Sequence, residues 1–263
     1  MLDFDDIPAL TVNGEALSLA DVLAYAKLNE QLQALHSAQE AELIRQAARQ
    51  RGLAISDEEL QEAADQFRAT RELHDAERTT LWFQQYHLSF AEWEFWLESG
   101  ILRRKLSDSL AAAQTEQYFA TNRLNFETAE LSQLVVKEED VARELRLQIT
   151  DEGADFHALA RQYSIDEKTR PAGGYKGPVA RAKLAAVVEA AVFGATPGAI
   201  VGPFKLPAGW TLFKVEALCR AVLDEARRAQ VGDLIFAEWL AEAKRKAKTT
   251  WPLLEAALAE DEE

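Results

Sequence analysis

The sequence predicts an α+β protein in which a mixed domain of about 90 residues is inserted between the helices of a mostly α-helical domain. Three observations carry this expectation. The first 125 residues show apolar positions at helical spacing, and residues 126–217 change to strand-like runs punctuated by glycine and proline. The charge changes along the same divisions. Residues 1–128 hold 22 acidic and 11 basic side chains, residues 129–217 hold 12 and 11, and residues 218–263 hold 10 and 7. The net charges are therefore −11, −1 and −3 within a total of −15. The expected domains are 1–125, helical; 126–217, mixed; and 218–263, a C-terminal helix that packs on the first domain.

Each element has a local reason. Val12-Asn13-Gly14-Glu15 reads as a small extended turn. Ser18 with Asp21, Ser56 with Glu59, and Ser89 with Glu92 are capping boxes, in which a hydroxyl accepts from an early backbone N–H and the acid reaches back. They predict helices over Ser18 to about Gly52, Ser56 to about Ala69, and Ser89 past Leu110 toward Phe119. Trp82, Phe83, Tyr86, Phe90, Trp93, Phe95 and Trp96 recur at helical spacing, which predicts a helix–helix core. The alternative is an aromatic platform for an unfolded peptide. Trp93 and Trp96 share a face, and Phe95 is offset toward solvent. Leu131–Val136 reads as a strand, Glu138–Leu147 and Asp155–Tyr163 as helices, and 164–178 as a loop with Pro171, Gly173, Gly174, Gly177 and Pro178. Ala185–Phe193 is a third short helix, and Ile200–Leu206 and Trp210–Val215 are strands, so the order is βαααββ. Ala221 to about Lys248 is helical, with Gly232 costing about 1 kcal/mol against alanine and marking a bend or break.

Composition excludes several functions. With 48% hydrophobic residues the chain has enough apolar surface for a core. A single cysteine, Cys219, excludes a disulfide framework and reads as a packed thiol. Four dispersed histidines (His36, His74, His87 and His157) offer no metal spacing, so no metal or cofactor is expected. The charge of −15 argues against nucleic acid as a partner. No apolar run approaches the roughly 18 residues of a membrane span. The acidic start MLDFDDIPAL lacks the basic and apolar segments of a secretory signal, which predicts a cytoplasmic protein.

The middle segment resembles the parvulin-type peptidyl-prolyl cis–trans isomerases. The residues that carry the likeness are Gly153-Ala154-Asp155-Phe156, Leu159-Ala160, Tyr163-Ser164, Asp166, Gly173-Gly174, Glu189 to Phe193, Thr196-Pro197-Gly198, Gly202-Pro203-Phe204 and Gly209 to Val215. They fall in family order over 126–217, and the helical flanks look like the chaperone domain of SurA-like foldases and trigger factor. The resemblance implies a site of two buried histidines, a neighbouring Asp or Cys and an apolar floor. Its Asp/Cys position falls on Asp166, its histidines on Gln133 and Thr211, and its apolar contacts on Lys176, Leu184 and Val188, with Phe204 beside them. Both histidines are thus replaced and two of three apolar contacts altered.

Two functional readings follow. A prolyl amide turns over a barrier of about 18–20 kcal/mol, and catalysis requires only tighter binding of the twisted amide than of either planar form. In the first reading, Gln133 and Thr211 hydrogen-bond with Asp166 in place of the histidines, and a degraded site still isomerises. In the second, the domain is a non-catalytic peptide-binding chaperone or escort for an export or peptide-maturation system. The implied partners are unfolded or proline-containing polypeptides and, in the escort reading, a dedicated protein. Lys168, Arg170, Lys176, Arg181 and Lys183 cluster around the site loop and suggest a preference for acidic peptides.

Overall fold

The computed structural model describes residues 7–252. The chain divides into two units, residues 1–115 with 230–263, and residues 116–229. The acidic tail after Pro252 and the first six residues lie outside the described residues. The divisions therefore fall inside helices, ten residues before and twelve after the boundaries that composition alone suggests.

The first unit begins with a hairpin, β1 (Pro8–Val12) and β2 (Glu15–Ser18), paired antiparallel. Asn13 and Gly14 both take positive φ, 53° and 92°, as a two-residue hairpin turn requires. Helices α1 (Leu19–Leu28), α2 (Gln33–Gln50), α3 (Asp57–Thr70), α4 (Ala76–Gln85) and α5 (Phe90–Asn122) follow. All three capping boxes form, with the Ser18, Ser56 and Ser89 hydroxyls accepting from the backbone N–H groups of Asp21, Glu59 and Glu92. The helix expected over 18–52 is two helices. At the break the chain runs Lys27-Leu28-Asn29-Glu30-Gln31, and Glu30 adopts φ 56°. Helix α4 was not expected; Asp75 caps it by accepting from the Arg78 N–H.

The aromatic segment forms a core, as its spacing predicts. Phe67, Trp93, Leu97, Leu73 and Ala64 are buried together, with Trp82 and Phe83 against them. Trp96 departs from the expectation: it is 58% exposed, as open as Phe95 at 53%, with one edge on Phe67. Lys105 joins α5 to α3 with its Nζ 2.7 Å from both Glu59 carboxylate oxygens. Helix α9 (Glu225–Lys246) completes the architecture and runs unbroken through Gly232. A Cβ on Gly232 would lie 3.3 Å from that of Ala111, so the glycine serves close helix approach rather than a bend.

The second unit holds a four-stranded antiparallel sheet in the order β4-β3-β6-β5, made of β3 (Thr128–Val136), β4 (Tyr175–Ala180), β5 (Ile200–Leu206) and β6 (Gly209–Cys219). Helices α6 (Glu139–Thr150), α7 (Phe156–Tyr163) and α8 (Ala186–Phe193) cover it. The observed order, ββ-pairing aside, is βααβαββ. The expected loop at 164–178 ends in a strand, β4, which Gly177 and Pro178 concealed; a sheet edge tolerates both. One sheet face packs Leu134, Val136 and Leu212 against Ala142, Leu145, Phe156 and Ala160 of α6 and α7. The other packs Leu131, Phe213 and Val215 against Val188 and Val192 of α8. Cover on both faces leaves six consecutive residues of β3, Leu131 to Val136, buried, with Ser132 and Gln133 among them. Cys219 ends β6 and is exposed, not packed as expected.

Candidate active site

The site is built around β3 and the segment after α7. Gln133 faces the α8 side of the sheet opposite Phe213, and Val135 pairs with Thr211. Past Ser132 the β4 pairing ends, and the chain after α7 takes over the edge, with the Ile165 N–H donating to Val135 O at 2.8 Å. Ser164 pins the same corner. Its buried hydroxyl accepts from the N–H groups of Val135 at 3.2 Å and Asp166 at 3.3 Å.

These contacts bring Asp166 to Gln133. The Gln133 amide donates to Asp166 Oδ2 at 2.5 Å, and the Thr169 hydroxyl donates to the same oxygen at 2.5 Å. The hydrogen bond from Thr169 holds the Asp166 carboxyl below its usual range, against the opposing effect of burial; Gln133, the Lys168 N–H and the nearby Lys176 charge add to the lowering. The folded state therefore favours the carboxylate. Its contribution to stability is present above the ordinary Asp range and is lost as pH falls through the lowered value. Asp166 is an acceptor at neutral pH, not an acid.

Gln133 also holds the loop through its backbone. Its N–H donates to Gly174 O at 2.8 Å, and the Gly174 N–H donates to Thr169 O at 2.9 Å. A Cβ on Gly174 would come within 2.3 Å of Gln133 O, so only glycine fits where the loop crosses β3.

The remaining expected site residues divide into two groups. Leu184 and Phe204 are half-buried against the Phe213 cluster and form an apolar surface beside Gln133's face of the sheet. Phe204 pairs with Thr211 across β5 and β6, and its ring centre lies 6.3 Å from that of Phe213. Thr211 and Val188 are covered, at 2% and 1% exposure. The Thr211 hydroxyl points to Gly209 O at 3.4 Å and not to Asp166. Val188 is a core residue beneath the floor. Lys176 is exposed, and its charge reaches Asp166. Arg181 is half-buried between Glu127 at 2.8 Å and Glu189 at 2.5 Å, which removes it from the basic cluster. Sequence reasoning missed Thr169; its signal was the Asp-x-x-Thr spacing at a turn, where side chains bond locally.

Residues 124–217 match the model of the rotamase family described as the PPIC-type PPIase domain. Among curated proteins, the foldase protein PrsA of Caldanaerobacter subterraneus subsp. tengcongensis is 28% identical over 114 residues, which is 43% of this chain and 37% of that protein. The foldase protein PrsA of a Geobacillus species is 34% identical over 84 residues, 32% of this chain and 30% of that protein. The chain thus matches about a third of the length of each of these relatives. Among solved structures, the peptidylprolyl isomerase PrsA from Bacillus cereus aligns over 99% of this chain and 100% of its own, with a TM-score of 0.56 at 18% identity, a likeness of fold. With the ordered motifs, the four-stranded sheet and the family match falling on one segment, residues 124–217 are a domain of the PPIC-type, or parvulin, peptidyl-prolyl isomerase family.

Proposed function

We propose that the protein is a parvulin-type peptidyl-prolyl isomerase and foldase that binds unfolded or proline-containing polypeptides through a reduced catalytic site. The observation that carries this reading is the Gln133–Asp166 pair, held at 2.5 Å beside the apolar surface of Leu184 and Phe204, within the segment that matches the family. An Xaa-Pro segment on that surface meets an apolar contact for the ring and a polar edge fixed before it arrives. A preorganised donor array lowers the cost of the twisted amide without proton transfer. The carboxylate of Asp166 orients the Gln133 amide and so fixes that edge.

The test is NMR exchange spectroscopy on a short Xaa-Pro peptide. The wild type is expected to accelerate cis–trans exchange, and Asp166→Ala to lower that acceleration by about 10-fold or more, the scale of a lost preorganising contact. Absence of acceleration by the wild type would sink the isomerase reading. It would favour the second one, a non-catalytic chaperone or escort with a dedicated partner. The burial of Thr211 and Val188 and the charge at Lys176 support that alternative.

We further propose that the site prefers acidic peptides. Lys168, Arg170, Lys176 and Lys183 are exposed on and after the site loop of an otherwise acidic chain. At low salt an acidic peptide is expected to bind about 3- to 10-fold more tightly than a basic one of equal hydrophobicity, and the gap to close at high salt. Equal affinities at low salt would remove the idea. A cytoplasmic location is also proposed, on the acidic composition and the lone cysteine; recovery of the protein in a membrane or extracytoplasmic fraction would overturn it.

A further inference from the structure

On the sheet face away from the Gln133 side chain lies a polar cluster that the proposed reaction does not use. Ser132 is fully buried and donates to Glu216 Oε1 at 2.7 Å. Lys214 Nζ lies 3.2 Å from Glu216 Oε2 and 3.0 Å from His157 Nε2. His157 Nε2 is also 3.3 Å from Glu216 Oε1, and its Nδ1 is 2.9 Å from the carbonyl oxygen of Gly173. His157 is a partly exposed residue of α7, and the structure places it at the end of a chain of contacts from β3 and β6 to the site loop.

The proton positions follow from the partners. A carbonyl oxygen only accepts, so His157 Nδ1 carries a hydrogen and donates it to Gly173. In the neutral ring Nε2 is then an acceptor, and the Lys214 ammonium is the donor facing it. Glu216, itself held by the Ser132 hydroxyl, keeps Lys214 in that place. The ring is thereby fixed in one tautomer and one orientation, with its donor aimed at the loop.

The loop peptide it holds is the next one to the peptide that Gln133 holds. Gly173 O receives His157 and Gly174 O receives the Gln133 N–H. Gly173 has φ 66°, and a Cβ there would strike the Arg161 guanidinium at 2.5 Å and His157 Cβ at 2.9 Å, so the loop is seated directly on α7. The same loop carries Thr169, which donates to Asp166, and leads directly into β4, where Lys176 stands.

We propose that His157 is a positioning residue for the site: with Lys214 and Glu216 behind it, it latches the Gly173 carbonyl and so fixes the loop that presents Thr169 to Asp166. This rests on the isomerase reading for its functional meaning, but the latch can be observed without turnover. Asparagine places a donor where the imidazole has Nδ1, whereas glutamine places its amide nearer the Nε2 position.

The experiment uses the full chain and its His157→Asn, His157→Gln and His157→Leu variants. Nitrogen-15 NMR of the wild-type ring is expected to show the Nδ1–H tautomer. In His157→Leu, amide hydrogen exchange at Gln133 and Gly174 is expected to quicken by about 10-fold or more, with His157→Asn returning it to within about 3-fold of wild type and His157→Gln not doing so. An Nε2–H tautomer, unchanged exchange in His157→Leu, or equal behaviour of the Asn and Gln variants would overturn the latch. Should His157→Leu fail to fold, the wild-type tautomer and the Asn–Gln comparison still decide. Xaa-Pro exchange is measured in parallel. A wild type without turnover defeats the isomerase reading alone, whereas turnover lost in His157→Gln and kept in His157→Asn supports both.

Discussion

Gly174→Ala is expected to destabilise the second unit by about 2–4 kcal/mol and to abolish peptide exchange, because two penalties coincide there. Gly174 has φ 84°, a conformation that costs an L-residue of the order of 1–2 kcal/mol. The added methyl would also lie 2.3 Å from Gln133 O, and that oxygen belongs to the central part of the sheet and cannot retreat. Relief requires the loop to lift. Lifting breaks the Gln133 N–H to Gly174 O bond and draws Thr169 from Asp166. Denaturant unfolding followed by signals from residues 116–229 checks the stability, and the Asp166 carboxyl, titrated by NMR, should return toward its ordinary range. Gly198→Ala is the control. It too has positive φ, 92°, but nothing lies within 4 Å of its Cβ, so it should show the backbone cost without the loss of the site.

Trp93→Ala is expected to cost the first unit about 3–5 kcal/mol, the range for emptying a large aromatic from a core. Trp93 is 6% exposed, and its ring lies 5.3–5.5 Å from those of Phe67, Phe83 and Phe90. Its indole N–H is buried with no partner among the described residues, a condition that itself costs free energy. Trp93→Phe should therefore be milder, about 1 kcal/mol or less, since it removes an unsatisfied donor along with some volume. The two denaturation midpoints, read by helical signal, test this. A Phe variant as unstable as the Ala variant would show that the N–H finds a partner after all. The two units are expected to respond separately to these substitutions, so a single unfolding free energy for the whole chain is not the right quantity.

The parts of the fold that the sequence revealed were those with one local cause. Each capping box needs only a hydroxyl and an acid three residues apart, and all three formed. The aromatic core declared itself by spacing. The parts that stayed hidden had causes far away in the chain. Strand β4 contains Lys176, Gly177 and Pro178, which no propensity scale reads as a strand; it exists because Thr128–Ser132 lies beside it. The meeting of Asp166 with Gln133 was legible through the ordered motifs. The fate of Thr211 was not, because the direction of a buried hydroxyl depends on a turn carbonyl two residues away, at Gly209. His157 was illegible for a similar reason: its partners, Gly173, Lys214 and Glu216, lie up to 59 positions downstream. Trp96 misled because sharing a helix face with Trp93 does not ensure that a neighbouring helix extends far enough to cover it.

The two outer strands of the sheet, β4 and β5, each carry a proline, Pro178 and Pro203, and each pairing contains a register shift. A proline offers no N–H to a newcomer, and an irregular strand presents no straight row of groups to copy. A surface that meets unstructured polypeptide runs a particular hazard, since an extended chain can append itself to any open border and seed a fibril. Both borders are interrupted here, so on the proposed function contact with such chains would be steered away from backbone templating and toward side-chain recognition at the Leu184 and Phe204 surface.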